Sequence, residues 1–399
     1  MAEFDIHHQK RTLEARLRWL EETKEIGPED KQLMLGFYKD GVARGLSISR
    51  SIKYLLLLSQ LSTMLKTGLK NAKKQQIMDL VVRIEQSDYS NWSKKDYKVA
   101  LKCFYKWLNG GEDYPESVKW IKATVSAGKH KLPEELLTEE EVKALSDQAE
   151  HPRDKAFVQV LYETGCRIGE LLTLHIKNIS FDDYGAILRV TGKTGDRRVR
   201  IVASAPTLAA WLDIHPKRND PECPLWLSRT SKTKLLPFNY STGNVLLRRL
   251  AKKAGIKKRV NPHLFRHSRA THLANKLTEA QMKEYFGWTQ SSEMASVYVH
   301  LSGRDVDSAI LQLHGLKNEA EKKEDKFRAK SCHRCKQPNS PTSQFCNKCG
   351  AVLNLETALL VEHERAKADN MLNELVKDKE TLDYLAKKII ELNLAEKPS

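Results

Sequence analysis

The chain has 399 residues and a formal net charge of +16, from 67 Lys and Arg against 51 Asp and Glu. That length exceeds what one hydrophobic core organises and predicts two or three domains. The longest apolar run, Leu55–Leu58, is far too short to cross a bilayer, and the opening Met1–His8 is polar and acidic, so a membrane anchor and a secretory leader are not expected and a cytoplasmic protein is. Residues 1–315 carry 51 basic and 37 acidic side chains, whereas residues 316–399 carry 16 and 14. The positive excess lies in the body of the chain and predicts a polyanionic partner, most simply nucleic acid.

In chain order, residues 10–25 read as a short charged helix within an N-terminal segment, 1–28. Four helical stretches follow, roughly Pro28–Gly45, Ser47–Thr67, Lys73–Ser87 and Ser93–Asn109. Ser47 and Ser93 are candidate N-caps, and Gly45, Gly68 and Gly110 are candidate stops. Tyr97, Leu101, Phe104, Tyr105 and Leu108 recur at helical spacing. A helical bundle over 29–128 is predicted, with Arg50, Lys53, Lys94, Lys95, Lys98 and Lys102 as candidate phosphate contacts. Residues 126–133 are small and basic, broken by Gly and Pro, and read as a linker. Thr138 with Glu141 is a capping box. Strands are predicted at Ala186–Thr191 and Arg197–Val202, joined by a turn at Gly192–Asp196. Helices resume near Ser241, Pro262 and Thr278. Residues 316–331 form a charged linker, and Leu355 to about Leu394 reads as one or two helices with a short stripe at Leu375, Leu382 and Ile389. That stripe suits either a short coil or docking on the chain's own body.

The chemistry is concentrated in a few segments. His263-Leu-Phe-Arg266-His267 places two imidazoles and a guanidinium within about one helical turn. Arg is a fixed planar donor fork suited to phosphate oxygens, and His moves protons near neutral pH. Upstream stands Thr164-Gly-Cys-Arg167-Ile-Gly-Glu170, and downstream stand Tyr285-Phe-Gly-Trp288 and Val297-Tyr298-Val299-His300. Taken in order with the Gly192-Lys193-Thr194-Gly195 hairpin, these segments resemble the tyrosine recombinase (phage integrase) family, closely over about 132–315 and loosely over 29–128.

The resemblance implies a mainly α fold with a small β-sheet, in which a helical core-binding domain precedes a catalytic domain. It implies a site-specific recombinase that cleaves and rejoins duplex DNA. The nucleophile would be Tyr298, forming a 3′-phosphotyrosyl link without metal or ATP. Arg167 and Arg266 would neutralise the phosphate, His263 would assist proton transfer, and Lys193 would protonate the leaving 5′ oxygen, with Lys177 and Arg197 as alternatives to it. Trp288, where relatives commonly have His, would buttress Tyr298. Glu170 would orient Arg167 or His267 as supporting residues, and Tyr285 is the alternative nucleophile. The resemblance also implies a homotetramer on paired double-stranded DNA sites, with accessory DNA-binding proteins and no membrane partner. A type IB topoisomerase-like enzyme and a non-catalytic DNA-binding protein are the other readings. Exchange between two duplexes separates the first, and the full Arg, Lys, His, Arg and Tyr set argues against the second.

Seven cysteines are present, and four of them form Cys332-x-x-Cys335 and Cys346-x-x-Cys349 with ten residues between the pairs. That spacing predicts a zinc ribbon over 332–353, a closed four-thiolate structural site followed by a C-terminal helical tail, 355–399. His333 lies inside a knuckle and reads as a bystander. A unit this short has no core of its own, so metal binding is expected to supply its folding energy.

Overall fold

The computed structural model describes residues 5–65, 67–124, 135–192, 194–228, 235–274, 276–301, 314 and 329–391. The chain divides into two compact units, Met1–Pro133 with Phe238–Ser241, and Glu134–Pro237 with Thr242–Ser399. The linker predicted at 126–133 lies outside the described residues, as do residues 316–328 of the one predicted at 316–331, whose Lys330 and Ser331 lie in a strand instead.

The first unit is helical: α1 Gln9–Glu22, α2 Pro28–Ala43, α3 Ile48–Met64, α4 Lys74–Gln86 and α5 Asn91–Leu108. Pro28 opens α2, where its missing N–H costs nothing. Ser47 caps α3 by accepting from the Arg50 amide. The cap of α5 is Ser90 rather than Ser93. Ser90 is the last extended residue, so its hydroxyl accepts from the Ser93 amide at 3.2 Å, and Ser93 belongs to the first turn. The core stacks Phe37 against Tyr54, Phe104 and Trp107, with ring centroids 5.5, 5.7 and 5.6 Å away. Asp30 and Lys98 are both buried here. Asp30 accepts from the Ser62 hydroxyl and from the Leu69 amide at 2.8 Å, which ties α2 to the end of α3.

The second unit begins with α6, Glu139–Asp147, where Thr138 and Glu141 form the expected capping box. α7, Pro152–Thr164, is buried from Ala156 onward and packs against α6 and two later helices, α9 (Ala205–Asp213) and α11 (Pro262–Ala274). A short α8, Ile168–Leu172, follows. The sheet has three antiparallel strands in the order β1 Ile179–Asp182, β2 Gly185–Gly192 and β3 Gly195–Ile201. β1 is an addition to the two predicted strands; its four residues are mostly exposed and too few to show an alternating pattern. The remaining helices of this part are α10 Tyr240–Lys253, α12 Glu279–Phe286, capped by Thr278, and α13 Met294–Leu301. The cysteine segment folds as a small hairpin of β4 Lys330–Ser331 and β5 Pro338–Asn339. α14 Leu355–Lys377 and α15 Lys379–Glu391 complete the described chain. Within α14 only Thr357 is buried, Leu375 and Leu382 of the predicted stripe are exposed, and the Ile389 side chain lies outside the described residues. No helix among the described residues is long and apolar enough to cross a membrane.

Removing the buried acceptor at Asp30 leaves a hydroxyl and an amide without partners. Asp30→Ala is expected to destabilise the first unit by about 2 kcal/mol, seen as a lower urea midpoint, since an unsatisfied buried group costs roughly 1–3 kcal/mol.

Candidate active site

The site is built around the C-terminal end of α7. Gly165 ends that helix in the left-handed conformation, φ 55°, and a Cβ there would lie 2.5 Å from the Phe286 ring. Glycine is therefore required twice over, by backbone and by packing. The chain then turns directly into Cys166, which is fully buried, and Arg167, which caps α8.

Glu170 is the centre of this arrangement. Its buried carboxylate accepts from Arg167 Nη1 at 2.9 Å, from the Arg167 amide at 2.9 Å and from Arg197 Nη2 at 2.7 Å. Burial alone would raise the carboxyl's pKa, but the hydrogen bonds and charge of Arg197, joined by Arg167, hold it below its ordinary value. Glu170 is thus bonded to Arg167 through both its side chain and its amide. The hairpin packs tightly on the same carboxylate: a Cβ on Gly192 would come within 2.4 Å of Glu170 Oε1. Gly192 and Thr194 flank Lys193, which itself lies outside the described residues. The Thr194 hydroxyl donates to the Gly287 carbonyl at 3.1 Å, and Arg167 donates to the same carbonyl at 3.2 and 3.3 Å.

The two alternatives to Lys193 are otherwise occupied. Lys177 pairs with Glu222 at 2.7 Å, and Arg197 is held between Glu170 and the Tyr285 carbonyl, to which its Nε donates at 3.0 Å. Arg197 is a residue whose part the sequence did not reveal. Among the described residues its Nη1 has no hydrogen-bond partner, and it packs so closely on Gly287, φ 61°, that a Cβ there would sit 2.8 Å away.

α11 supplies Arg266, His263 and His267. Arg266 is buried and donates to the Gly165 carbonyl at 2.9 Å and the Phe286 carbonyl at 2.7 Å, which joins the end of α7 to the end of α12. Burial, with Arg167 nearby, pulls its guanidinium down to about 10, so it stays charged at neutral pH. It lies over the rings of Phe286 and Trp288, 5.2 and 5.5 Å from their centroids. His263 is exposed in the first turn of α11.

Tyr298, on α13, is buried. Its ring stacks on Trp288 at 5.5 Å and 3°, and Trp288 stacks on Phe286 at 4.9 Å and 21°. Its hydroxyl forms a short hydrogen bond with His267 Nδ1. Burial pushes the phenol up to about 12, with the Arg266 charge opposing. Tyr285 differs: its hydroxyl donates to the Glu163 carbonyl at 2.8 Å, and burial raises its pKa further still.

The cysteine quartet forms a second site. All four Sγ atoms lie within 4.8 Å of one another, with Cys332–Cys349 and Cys335–Cys346 at 3.6 Å. The two knuckles repeat one turn: Lys336 and Gly350 each follow the second Cys in the left-handed region, φ 62° and 70°, and donate to the first Cys carbonyl at 2.9 and 3.0 Å. In the first unit, the predicted phosphate contacts are engaged within the bundle. Lys53 pairs with Asp96 and Lys98 with Glu85, Lys94 and Lys102 donate to the Glu85 and Ile121 carbonyls, and Lys95 and Arg50 rest over Trp92 and Tyr54.

Residues 135–304, which include the Arg167-to-Tyr298 arrangement, match the model of the phage integrase family. Over 237 residues the chain is 30% identical to tyrosine recombinase XerA of Pyrococcus horikoshii, covering 58% of this chain and 78% of that one. The chain belongs to the tyrosine recombinase family. It is a site-specific recombination enzyme. Tyrosine recombinase XerC of Salmonella typhi is 27% identical over 306 residues, 68% of this recombinase and 97% of the relative. The fold is shared with solved structures of XerH bound to its difH substrate (TM-score 0.54, 19% identity, 77% of this chain and 96% of that one) and of the Tn1549 transposon integrase with transposon right end DNA (0.56, 17%, 71% and 99%).

The depressed carboxyl of Glu170 gives a pH test. A group whose pKa is lowered on folding stabilises the native state above its unfolded pKa and loses that contribution as pH falls through the native value. Glu170→Gln is expected to cost about 3 kcal/mol at pH 7, as for other broken buried pairs. The difference from wild type should shrink as the pH falls below about 4 in matched urea titrations.

Proposed function

We propose that this recombinase cleaves and rejoins double-stranded DNA through a 3′-phosphotyrosyl link to Tyr298. The observation that carries this reading is the setting of the Tyr298 hydroxyl. It is bonded to His267 on the helix that also holds Arg266, and its ring lies parallel to Trp288. Tyr298 Oη attacks phosphorus and the bond to the 5′ oxygen breaks. With its pKa near 12 the phenol is neutral at pH 7, so its proton must leave during attack, and His267 Nδ1 is the acceptor in reach. Arg167 and Arg266 stabilise the extra negative charge of the pentacoordinate phosphate. Lys193, between Gly192 and Thr194 in sequence, donates a proton to the 5′ oxygen. His263, exposed at the start of α11, donates to a phosphate oxygen. The phosphotyrosine retains the energy of the diester, so religation by a 5′ hydroxyl reverses the step without ATP.

The partners in this reading are two DNA duplexes and four copies of the chain. Solved neighbours of the fold include a lambda integrase tetramer bound to a Holliday junction. The +14 excess of residues 1–315 suits duplex phosphate. The ribbon holds a structural zinc through Cys332, Cys335, Cys346 and Cys349. Tetrahedral Zn–S bonds of about 2.3 Å place sulfurs about 3.8 Å apart, close to the 3.6 Å found here.

The test is covalent trapping on nicked duplexes carrying candidate attachment sites. Wild type and Tyr285→Phe should form a 3′-linked adduct that EDTA added during the reaction does not abolish. Tyr298→Phe should reduce it by at least about 1,000-fold, the scale for loss of a nucleophile. An adduct that persists in Tyr298→Phe would reject the assignment.

A further inference from the structure

Helix α7 is apolar through Phe157, Val158, Val160 and Leu161, yet its centre is Gln159, which is fully buried. A buried amide has two donors and two acceptor positions to satisfy. Here all four are used. Gln159 Nε2 donates to the Ser146 hydroxyl of α6 at 2.8 Å and to the Thr342 hydroxyl at 3.1 Å. Its Oε1 accepts from the Thr207 hydroxyl of α9 at 2.8 Å and from the Ser340 hydroxyl at 3.0 Å. Half of the amide's bonding thus comes from the catalytic body and half from the loop between the two cysteine knuckles. Ser340 is itself buried.

That loop is tied in turn to the cysteine quartet. Asn339, fully buried beside Ser340, donates to Cys346 Sγ at 3.7 Å and to the Gln337 carbonyl at 2.7 Å, and accepts from the Asn347 amide at 2.9 Å. A path therefore runs from Cys346 Sγ by hydrogen bond to Asn339, along the chain to Ser340, and by hydrogen bond to Gln159. From Gln159 less than two turns of α7 lead to Gly165, whose carbonyl holds Arg266, and to Arg167.

We propose that the ribbon is a metal-dependent latch on its own catalytic domain: zinc binding fixes the Asn339–Thr342 loop, and that loop completes the bonding of Gln159 and so stiffens the helix that leads into Arg167. The partner of this polar face is the body of the same chain. The inference rests on the zinc reading above. Loss of the metal unfolds the knuckles, frees Ser340 and Thr342, and leaves one donor and one acceptor of Gln159 without their protein partners.

Hydrogen exchange on the full chain tests this, with zinc content measured in the same samples. Wild type is compared zinc-loaded, stripped with a strong chelator and reloaded. The second variant is Ser340→Ala/Thr342→Val, which keeps every cysteine and the Asn339 contacts. In wild type, stripping should speed exchange of the amides of Val158–Leu161 about tenfold or more, the change given by about 1.4 kcal/mol of local stability, and reloading should reverse it. The double variant should still bind one zinc per chain, but its α7 exchange should already be fast and should not respond to zinc. Zinc bound by wild type with no change in α7, or a zinc response retained in the double variant, would overturn the latch alone. A wild-type chain that binds no zinc would overturn the zinc reading itself and the latch with it.

Discussion

Two guanidinium groups, Arg167 and Arg197, converge on a carboxylate that water scarcely reaches, and the rest of the site takes its geometry from that meeting. Glu170 is charged because both partners are charged and hydrogen-bonded to it. Its position fixes Arg167 from below, sets the close approach of the hairpin at Gly192, and anchors Arg197, which in turn holds the carbonyl of Tyr285 two residues before the Gly287 turn. An isolated buried carboxylate would protonate or drag water inward. Three donors to one carboxylate make the buried charge tolerable, and they do so only if α8, β3 and the hairpin all keep their places.

A second constraint is the stack Phe286–Trp288–Tyr298 beneath Arg266. Offset rings at about 5 Å bury apolar area and leave only narrow freedom of tilt. Arg266 is fastened by two backbone carbonyls, one from Gly165 and one from Phe286. The result is a cation fixed above the stack and a phenol held within the same packing. On the proposed reading of Tyr298, pre-set charge and a pre-placed nucleophile need little rearrangement when a phosphate arrives, and that is the chief source of rate in electrostatic catalysis. Trp288 fits this frame, since its ring supplies the stacking surface between Phe286 and Tyr298.

Much of this was legible in the sequence, for physical reasons. Arg167, Arg266 and Tyr298 stand in compact motifs whose chemistry needs those side chains close together, and Thr138–Glu141 and Thr278 declare their helix starts through local capping. The two cysteine knuckles were equally plain, because metal ligands at fixed spacing have few other uses. What could not be read was bonding between distant segments. Arg197 was singled out only as an alternative to Lys193, and only folding brings it to Glu170. Gln159 offered a single amide in an apolar helix, with its Ser340 and Thr342 partners 181 and 183 residues away. The tail stripe shows the limit of spacing from the other side. Leu375 and Leu382 have the spacing of a buried face, but spacing states what a helix is able to bury, not whether its own chain covers it.

The central claim is that Tyr298, and no other side chain, accepts the phosphate. The most direct measurement is to digest the covalent DNA adduct with nuclease and protease and locate the residual nucleotide by fragmentation mass spectrometry. The peptide from Glu284 to Arg304 holds both Tyr285 and Tyr298, so its fragment series separates them. The account predicts the nucleotide mass on Tyr298 alone, through the 3′ phosphate. Nucleotide on Tyr285, or on any residue outside α13, would contradict it.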